Sequence, residues 1–241
     1  MKPNYLWHQG ADQISLADNL AGELAVRISE AVSDSGLAVI ALSGGSTPKP
    51  LFEALAQHDI DWSRVVITLV DERWVPDTHE LSNAAFMRKY LLDKLPADVR
   101  FVPLYQPAES VLASFPTVLG NYCHATNSST DKPRGFDIVI LGMGGDGHTA
   151  SFFPDADNVA DLVNPKTAEC LLTCNSPSTQ VERITWSLPM LLTSNFLALH
   201  ITGQGKKDVF EQACESDDAI ELPIRSAIFQ DSIPLNVYYA D

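Results

Sequence analysis

Asp146 and His148 are the residues of this chain whose types and position are best suited to chemistry. They stand in the segment GMGGDGH, directly after residues 137–141, an apolar run typical of a strand buried on both faces of a parallel sheet. An α/β protein places its reactive side chains in such turns. An imidazole accepts a proton from water near neutral pH, so His148 is the leading candidate for proton transfer. The other histidines are expected to be surface or packing residues: His8, His58, His79, His124 and His200.

The same segment matches the spacing of a dinucleotide-binding turn. Gly142, Gly144 and Gly147 satisfy G-x-G-x-x-G, which is weak evidence on its own. A dinucleotide turn also needs an uninterrupted helix after the third glycine and an acidic residue after the next strand. Pro154 interrupts such a helix, and Asn175 follows the next strand pattern. We therefore favour a sugar phosphate over NAD as the ligand.

A second glycine-rich turn, SGGSTP at residues 43–48, also joins a strand pattern to a helix pattern. The amides of Gly44 and Gly45 and the hydroxyls of Ser46 and Thr47 are suited to holding a phosphate at the start of a helix. The segment lacks the G-K-[ST] ending of a nucleotide-binding P-loop. A tight turn with a Ser or Thr cap explains the same letters equally well.

Charged residues follow the strand pattern at residues 65–70. Asp71 and Arg73 are candidates for contacting substrate hydroxyls, a carbonyl or a phosphate. Consecutive residues of an extended chain point to opposite sides, so all three charges of D-E-R are not expected to enter one cleft. We therefore assign Glu72 a structural ion pair with an arginine.

Two basic residues lie further along the chain. Lys206 opens a helix pattern after a strand pattern, where its ammonium group is placed to neutralise a phosphate held by backbone amides. Arg225, in the segment LPIRSAI, is a lesser candidate for the same phosphate. A surface ion pair accounts for Arg225 equally well.

Strand and helix patterns alternate along the chain and position these turns at one edge. Strand patterns cover residues 37–42, 65–70, 101–104, 137–141, 195–201 and 235–239. Helix patterns cover residues 15–32, 49–57, 82–92, 110–124 (with a break or bend at Pro116) and 206–214. This alternation predicts an α/β fold with a single doubly wound, mostly parallel sheet and helices on both faces. We expect residues 1–241 to form one domain.

The composition favours a cytoplasmic protein with a small anionic ligand. The formal charge of −15 opposes binding to nucleic acid or to an anionic membrane. No run of residues resembles a membrane span or a secretion signal. A few nearby bases and backbone dipoles set the potential of a site, so an anionic substrate remains compatible with this charge. The four cysteines are irregularly spaced, and no metal site is predicted.

Taken in order, five segments resemble the 6-phosphogluconolactonase family, which shares its fold with glucosamine-6-phosphate deaminases and isomerases. They are LSGGSTP, VDERWVP with SNAAFMRKYLL, ILGMGGDGHTASFFP, TGQGKK and LPIRSAI. The D-G-H-T-A-S-x-F-P segment, following D-E-R-W, is the specific part, whereas LPIRSAI lies in a region that varies among relatives. Phe153 stands where the deaminases carry Glu, and Arg73 where they carry an aromatic residue. Both departures favour the lactonases.

The resemblance implies a Rossmann-like fold of the sugar-phosphate isomerase/deaminase type and hydrolysis of 6-phospho-D-glucono-1,5-lactone in the oxidative pentose phosphate pathway, without metal or organic cofactor. It implies that His148 activates the attacking water, Asp146 orients the histidine or the site, and Arg73 steadies the substrate or the oxyanion. The catalytic candidates are then His148, Asp146, Arg73 and Asp71. The candidates for binding substrate or phosphate are Gly44, Gly45, Ser46, Thr47, Gly144, Gly145, Lys206 and Arg225.

Two other functions remain open at this point. An amino-sugar-phosphate deaminase or isomerase would share the fold and the D-G-H turn, and a deaminase would release ammonia. A non-catalytic sugar-phosphate sensor would bind its ligand without turnover. The sequence also leaves open whether the protein forms a homo-oligomer and which carboxylate orients His148.

Overall fold

The computed structural model describes residues 2–179 and 181–241. Its strands are β1 (Tyr5–Gln9), β2 (Ala38–Leu42), β3 (Val65–Leu69), β4 (Asp71–Arg73), β5 (Arg100–Val102), β6 (Ile138–Leu141), β7 (Leu171–Cys174), β8 (Arg183–Trp186), β9 (Phe196–Thr202) and β10 (Leu235–Ala240). Its helices are α1 (Gln13–Ser35), α2 (Lys49–Leu55), α3 (Asn83–Tyr90), α4 (Val111–Thr126), α5 (Val159–Leu162), α6 (Leu188–Leu191), α7 (Gln204–Ala213) and α8 (Arg225–Ile228). Short 3₁₀ turns cover Trp62–Arg64 and Leu92–Lys94.

Seven strands form one parallel sheet in the order β1-β10-β9-β6-β2-β3-β5. The predicted α/β fold with a mostly parallel sheet is therefore confirmed. Strands β2, β3 and β6 are buried along their whole length, which explains their continuous apolar runs. Neighbouring positions of a strand face opposite sides, and both sides are covered. On one side Arg27 of α1 lies over the Phe196 ring, and on the other Phe210 of α7 packs against Trp7.

A second, antiparallel sheet in the order β4-β8-β7 stands beside the first and is absent from the sequence prediction. Val70 links the two sheets. Its amide donates to the Leu42 carbonyl of the parallel sheet, and its own carbonyl accepts from the Trp186 amide of the small sheet. The register pairs Arg73 of β4 with Arg183 of β8. Residues that local patterns place at the end of β3 thus form a separate strand.

Helix boundaries agree with the local signals at several points. Gly36 ends α1 in a left-handed conformation with φ of 78°, and the Ser82 hydroxyl caps α3 by accepting from the Ala85 amide. Helix α4 continues through Pro116, so of the predicted break or bend at this residue the break is absent. Within the described ranges, no helix combines the length and hydropathy required to cross a bilayer.

Candidate active site

A cleft of about 290 Å³ opens at the carboxyl ends of β2, β6 and β9, beside the small sheet. This is the edge at which the sequence placed the ligand. Nine predicted site residues line the cleft: Gly44, Gly45, Ser46, Thr47, Asp71, Arg73, Gly144, His148 and Lys206. Four further polar residues line it that were not predicted as site residues: Ser43, Asn83, Arg183 and His200.

Asp146 and His148 form a hydrogen-bonded pair at the edge of this cleft. The distance from His148 Nδ1 to Asp146 Oδ1 is 2.6 Å, and the His148 amide donates to the same oxygen at 3.2 Å. Burial opposes ionisation of Asp146, but its hydrogen bonds and charge interaction with His148 outweigh burial and lower its pKa to about 2. An ionised carboxylate only accepts hydrogen bonds, so Nδ1 carries the proton. The basic nitrogen of His148 is therefore Nε2.

Two glycines of the turn are required by this geometry. A Cβ atom at Gly144 would lie 2.1 Å from His148 Nδ1 and 2.3 Å from Asp146 Oδ1. Gly147 has a φ of 75°, and a Cβ atom there would lie 2.6 Å from the Leu222 side chain. The acid-histidine pair thus accounts for Gly144, and the backbone conformation and the Leu222 contact account for Gly147, so two of the three glycines that match the dinucleotide spacing have a structural reason.

His148 also belongs to a stack of three side chains. Its ring lies on the Phe153 ring with centroids 4.1 Å apart and an interplanar angle of 25°. The guanidinium carbon of Arg183 lies 5.1 Å from the centroid of the same Phe153 ring. Phe153 therefore positions both the histidine and an arginine that the small sheet contributes.

Arg183 and Asp71 form a partly buried ion pair inside the cleft. Arg183 Nη1 lies 3.7 Å from Asp71 Oδ2, which also accepts from the Ser151 hydroxyl at 2.6 Å. Burial lowers the pKa of the Arg183 guanidinium, and the neighbouring Asp71 carboxylate opposes this shift. Asp71 is thus placed to hold Arg183. In the sequence, Arg183 is marked only by its position at the start of the short run RITW.

Arg73 also brings its guanidinium into the cleft. Its Nη1 donates to the Leu81 carbonyl at 2.6 Å. Its Nε is buried and has no hydrogen-bond partner among the described residues. The same is true of the Arg183 Nε. Both arginines line the cleft, and each has a buried Nε without a described partner.

Glu72 has the structural role expected from its sequence position, but its partner is a helix rather than an arginine side chain. Its buried carboxylate accepts hydrogen bonds at the start of α3. Burial raises its pKa, against the effect of these bonds. The donors are the amides of Arg73, Asn83 and Ala84 and the hydroxyl of Ser82, at 2.7 to 3.0 Å. The predicted ion pair is wrong because backbone donors at the helix start satisfy the carboxylate.

The turn at residues 43–48 has the form expected of an anion-binding loop. The amides of Gly44 to Thr47 donate to no other described backbone group. Gly45 has a φ of 103°, which a side chain would disfavour. A Cβ atom at Gly44 would lie 2.1 Å from Asn83 Oδ1, so this close approach also requires glycine. Free amides and two hydroxyls are thus presented at one wall of the cleft.

Lys206 supplies a further cation to the cleft. It lies in the first turn of α7, and its Nζ donates to the Met143 carbonyl at 2.7 Å. Burial lowers the pKa of the Lys206 ammonium group, and the charge of Asp146 opposes this shift. Arg73, Arg183 and Lys206 make the cleft locally cationic in a chain of formal charge −15.

Three predicted site residues lie outside the lining of the cleft. Asp146 acts on it through His148, and Gly145 is an exposed position of the same turn. The assignment of Arg225 to the phosphate site is corrected by its position, because its guanidinium is buried and occupied elsewhere. It donates to the carbonyls of Gln212, Ala213 and Asp218 and to the Glu221 carboxylate.

His200 was expected to be a surface or packing residue. The structure places it on β9, where it lines the cleft. The residue is buried, with 3% of its surface exposed. Burial lowers the pKa of its imidazole to about 4, so the ring is neutral near pH 7. No pattern around HITG distinguishes such a histidine from one that fills a core.

A family model described as glucosamine-6-phosphate isomerases/6-phosphogluconolactonase matches residues 11–233. The chain belongs to this family. It is 40% identical over 226 residues to a 6-phosphogluconolactonase of Rhizobium meliloti, covering 94% of each chain. It is 38% identical to one of Pseudomonas putida, covering 96% of this chain and 91% of the relative.

Solved structures of the family agree with this membership. A crystal structure of a 6-phosphogluconolactonase from Shewanella baltica matches with a TM-score of 0.91 and 34% identity, covering 98% of each chain. A monomeric glucosamine-6-phosphate deaminase matches with a TM-score of 0.76 and 17% identity, covering 100% of this chain and 97% of its own. The deaminase likeness shows the shared fold alone.

Proposed function

We propose that this protein hydrolyses 6-phospho-D-glucono-1,5-lactone to 6-phospho-D-gluconate, a step of the oxidative pentose phosphate pathway. The observation that carries the proposal is the Asp146–His148 pair beside a cleft lined by three cations. Relatives at 31% to 40% identity over nearly the whole chain are 6-phosphogluconolactonases. A base next to cationic groups suits attack of water on an ester carbonyl of an anionic sugar.

His148 acts as the general base in the proposed mechanism. Its Nε2 takes a proton from water, and the hydroxyl oxygen forms a bond to the lactone carbonyl carbon while the carbonyl π electrons move to oxygen. Asp146 holds Nδ1–H and stabilises the imidazolium that forms. When the tetrahedral intermediate collapses, the ring C–O bond breaks and the imidazolium returns its proton to the leaving ring oxygen. No net proton is taken up by the protein.

Arginines stabilise the negative charge that develops on the carbonyl oxygen. Arg73 and Arg183 are the two arginines that line the cleft among the described residues. Fixed donors that point at a developing oxyanion lower the barrier because they need no reorganisation during the reaction. Asp71 fixes Arg183 and does not itself move a proton.

The phosphate binds at the other end of the cleft in this proposal. Its ligands are the amides and hydroxyls of residues 44–47 and the ammonium group of Lys206. Binding energy from this remote group orients the lactone carbonyl towards His148. All four cysteines are free, which supports the further proposal of a cytoplasmic location.

The proposal is tested by following acid release from freshly generated lactone against its spontaneous opening. We expect wild-type protein to accelerate opening and His148→Ala to lower kcat by about 10²- to 10⁴-fold, because the general base is lost. His124→Gln, an exposed histidine on α4, serves as the control and should keep the wild-type rate.

The outcomes separate the parts of the proposal. Absence of acceleration by wild-type protein would refute the lactonase function, and ammonia release from glucosamine 6-phosphate would indicate the deaminase instead. A fully active His148→Ala variant would refute the assignment of the base alone. Circular dichroism and thermal unfolding establish that each variant is folded.

A further inference from the structure

His200 is a buried polar residue that the proposed mechanism leaves without a role. No described residue forms a hydrogen bond with either of its ring nitrogens. Buried polar groups are almost always hydrogen-bonded, because an unpaired one loses its interaction with water without replacement. A phenylalanine would fill the same space without that cost. The position of an imidazole here therefore indicates a partner that enters the cleft.

The sheet register places His200 beside the glycine turn after β6. Leu199 of β9 pairs with Leu141 of β6, so His200 stands one step beyond this pair, next to Gly142. Gly142 has no side chain, and the nearest atom to a Cβ built there is Ser43 Cβ, at 4.0 Å. His200 is one of the residues that line the cleft near the ends of β6 and β2.

The same corner of the cleft holds the cation nearest to this turn. The strand that carries His200 leads into α7, and Lys206 of that helix donates to the carbonyl of Met143, the residue after Gly142. His200 and Lys206 therefore flank two consecutive residues of one turn. The free amides of residues 44–47 form the facing wall.

We infer that His200 is a phosphate ligand, donating a ring N–H from the sheet side of the cleft to an oxygen of the substrate's phosphate group. The inference rests on the proposed function for the identity of the sugar phosphate. A neutral imidazole suits this place because it adds a donor without adding a buried charge. A hydrogen bond to an ionised phosphate is stronger than one between neutral groups.

The first experiment measures the ring-nitrogen and backbone-amide NMR shifts of uniformly ¹⁵N-labelled wild-type protein, titrated with inorganic phosphate and with 6-phosphogluconate. The His200 signals are identified by their absence in His200→Phe. We expect one His200 nitrogen to shift as a hydrogen-bonded N–H in step with the amides of residues 44–47. An unchanged His200 signal when those amides have stopped shifting would overturn the inference and leave the ring as a packing residue or a partner of internal water.

The second experiment compares 6-phosphogluconolactone with unphosphorylated glucono-1,5-lactone. For His200→Phe and His200→Gln we expect kcat/KM for the phosphorylated lactone to fall about tenfold or more, mainly through KM, with the unphosphorylated lactone affected much less. Equal losses for both lactones, or no loss for either, would overturn the inference. His124→Gln provides the matched control.

Failure of the proposed function gives a different pattern. If wild-type protein does not open the phosphorylated lactone, the lactonase proposal fails, and the phosphate titration still decides the role of His200. His200→Phe is expected to fold, because it removes only nitrogens that have no described partner. The NMR titration of wild-type protein stays decisive even if a variant does not fold.

Discussion

The chemistry of His148 depends on how its ring is held on three sides. Asp146 binds Nδ1, Phe153 covers one face, and the Gly144 backbone lies against the pair. These contacts restrict the ring to one orientation, in which Nε2 is the nitrogen available to a substrate in the cleft. Pre-orientation of this kind matters because small displacements of a base from its target cause large losses in rate.

Gly144→Ala tests the close packing under the pair. The new Cβ atom would overlap both His148 Nδ1 and Asp146 Oδ1, so the pair must separate. We expect kcat to fall by about 10²-fold while the protein stays folded. Gly120→Ala on α4, where a Cβ atom meets nothing within 4 Å, is the control. A Gly144→Ala enzyme with normal kcat would contradict the assigned geometry.

Asp146→Asn tests the charge of the carboxylate through pH. The folded-state pKa of Asp146 is about 2, below the value of about 4 in an unfolded chain. A lowered carboxylate pKa adds stability above pH 4, and this is lost as the pH falls towards 2. We therefore expect the gap in unfolding free energy between wild type and Asp146→Asn to narrow below pH 4.

Urea titrations at several pH values between 3 and 7 measure this gap. The exposed Asp157→Asn variant controls for the loss of one negative charge. A gap that stays constant across the series would show that the Asp146 charge is not stabilised by His148. At pH 7 the Asp146→Asn variant should also show a lower kcat, because the neutral side chain of asparagine does not stabilise the imidazolium.

At the scale of elements, the site is built where two sheets meet. The parallel sheet supplies the turns with His148, the free amides and Lys206, whereas the small sheet supplies Arg73 and Arg183. The parallel sheet thus supplies one of the three cations and the small sheet supplies two. The hydrogen bonds of Val70 to both sheets fix their relative position at this junction.

Arg183→Lys tests the contribution of the small sheet. Lysine keeps the charge but loses the planar group that stacks on Phe153 and the paired donors. We expect kcat/KM for the lactone to fall about tenfold to 100-fold, with the loss mainly in kcat if Arg183 stabilises the oxyanion. Arg64→Lys, in an exposed ion pair with Asp61, is the control. A loss confined to KM would place Arg183 on the bound substrate instead.

For the whole molecule, the predictable part of the fold is the part whose signals are local. Strands β2, β3 and β6 have continuous apolar runs because both faces are buried, and Gly36 and Ser82 mark helix ends. Strand β1 was missed because its residues are exposed or half-buried and show no alternation. Strand β8, which pairs with the nearby β7 as well as with the distant β4, was missed because it is only four residues long.

The same division holds for the site. The turns containing His148 and Ser46 follow buried strands, so their position at one sheet edge is predictable from topology. Arg183 and His200 enter the cleft through long-range pairing, and neither has a local motif. The placement of Arg225 at the phosphate site was wrong because a motif does not show whether a guanidinium is free to bind a ligand. Here the guanidinium donates to carbonyls and to Glu221.

Arg225→Met tests a role in stability for the whole molecule. The substitution leaves three carbonyls and the Glu221 carboxylate without their shared donor. We expect a loss of about 1 to 3 kcal/mol in unfolding free energy, because the carbonyls lose the buried donor that they share, whereas the exposed Glu221 carboxylate is solvated by water. KM for the lactone should stay unchanged, and Arg64→Met controls for loss of an exposed arginine. A large rise in KM in a stable protein would restore Arg225 to the phosphate site.

The pairing of β1 with β10 has a consequence for how the molecule is made. Strand β1 has β10 as its neighbour in the sheet, and β10 also pairs with β9. Tyr5–Gln9 leaves the ribosome early and finds no partner strand until Leu235–Ala240 has followed. Because contacts between distant segments form slowly, this edge of the sheet is expected to close last. Until then β9 lies exposed as a temporary edge, where the nascent chain is most open to pairing with a neighbour.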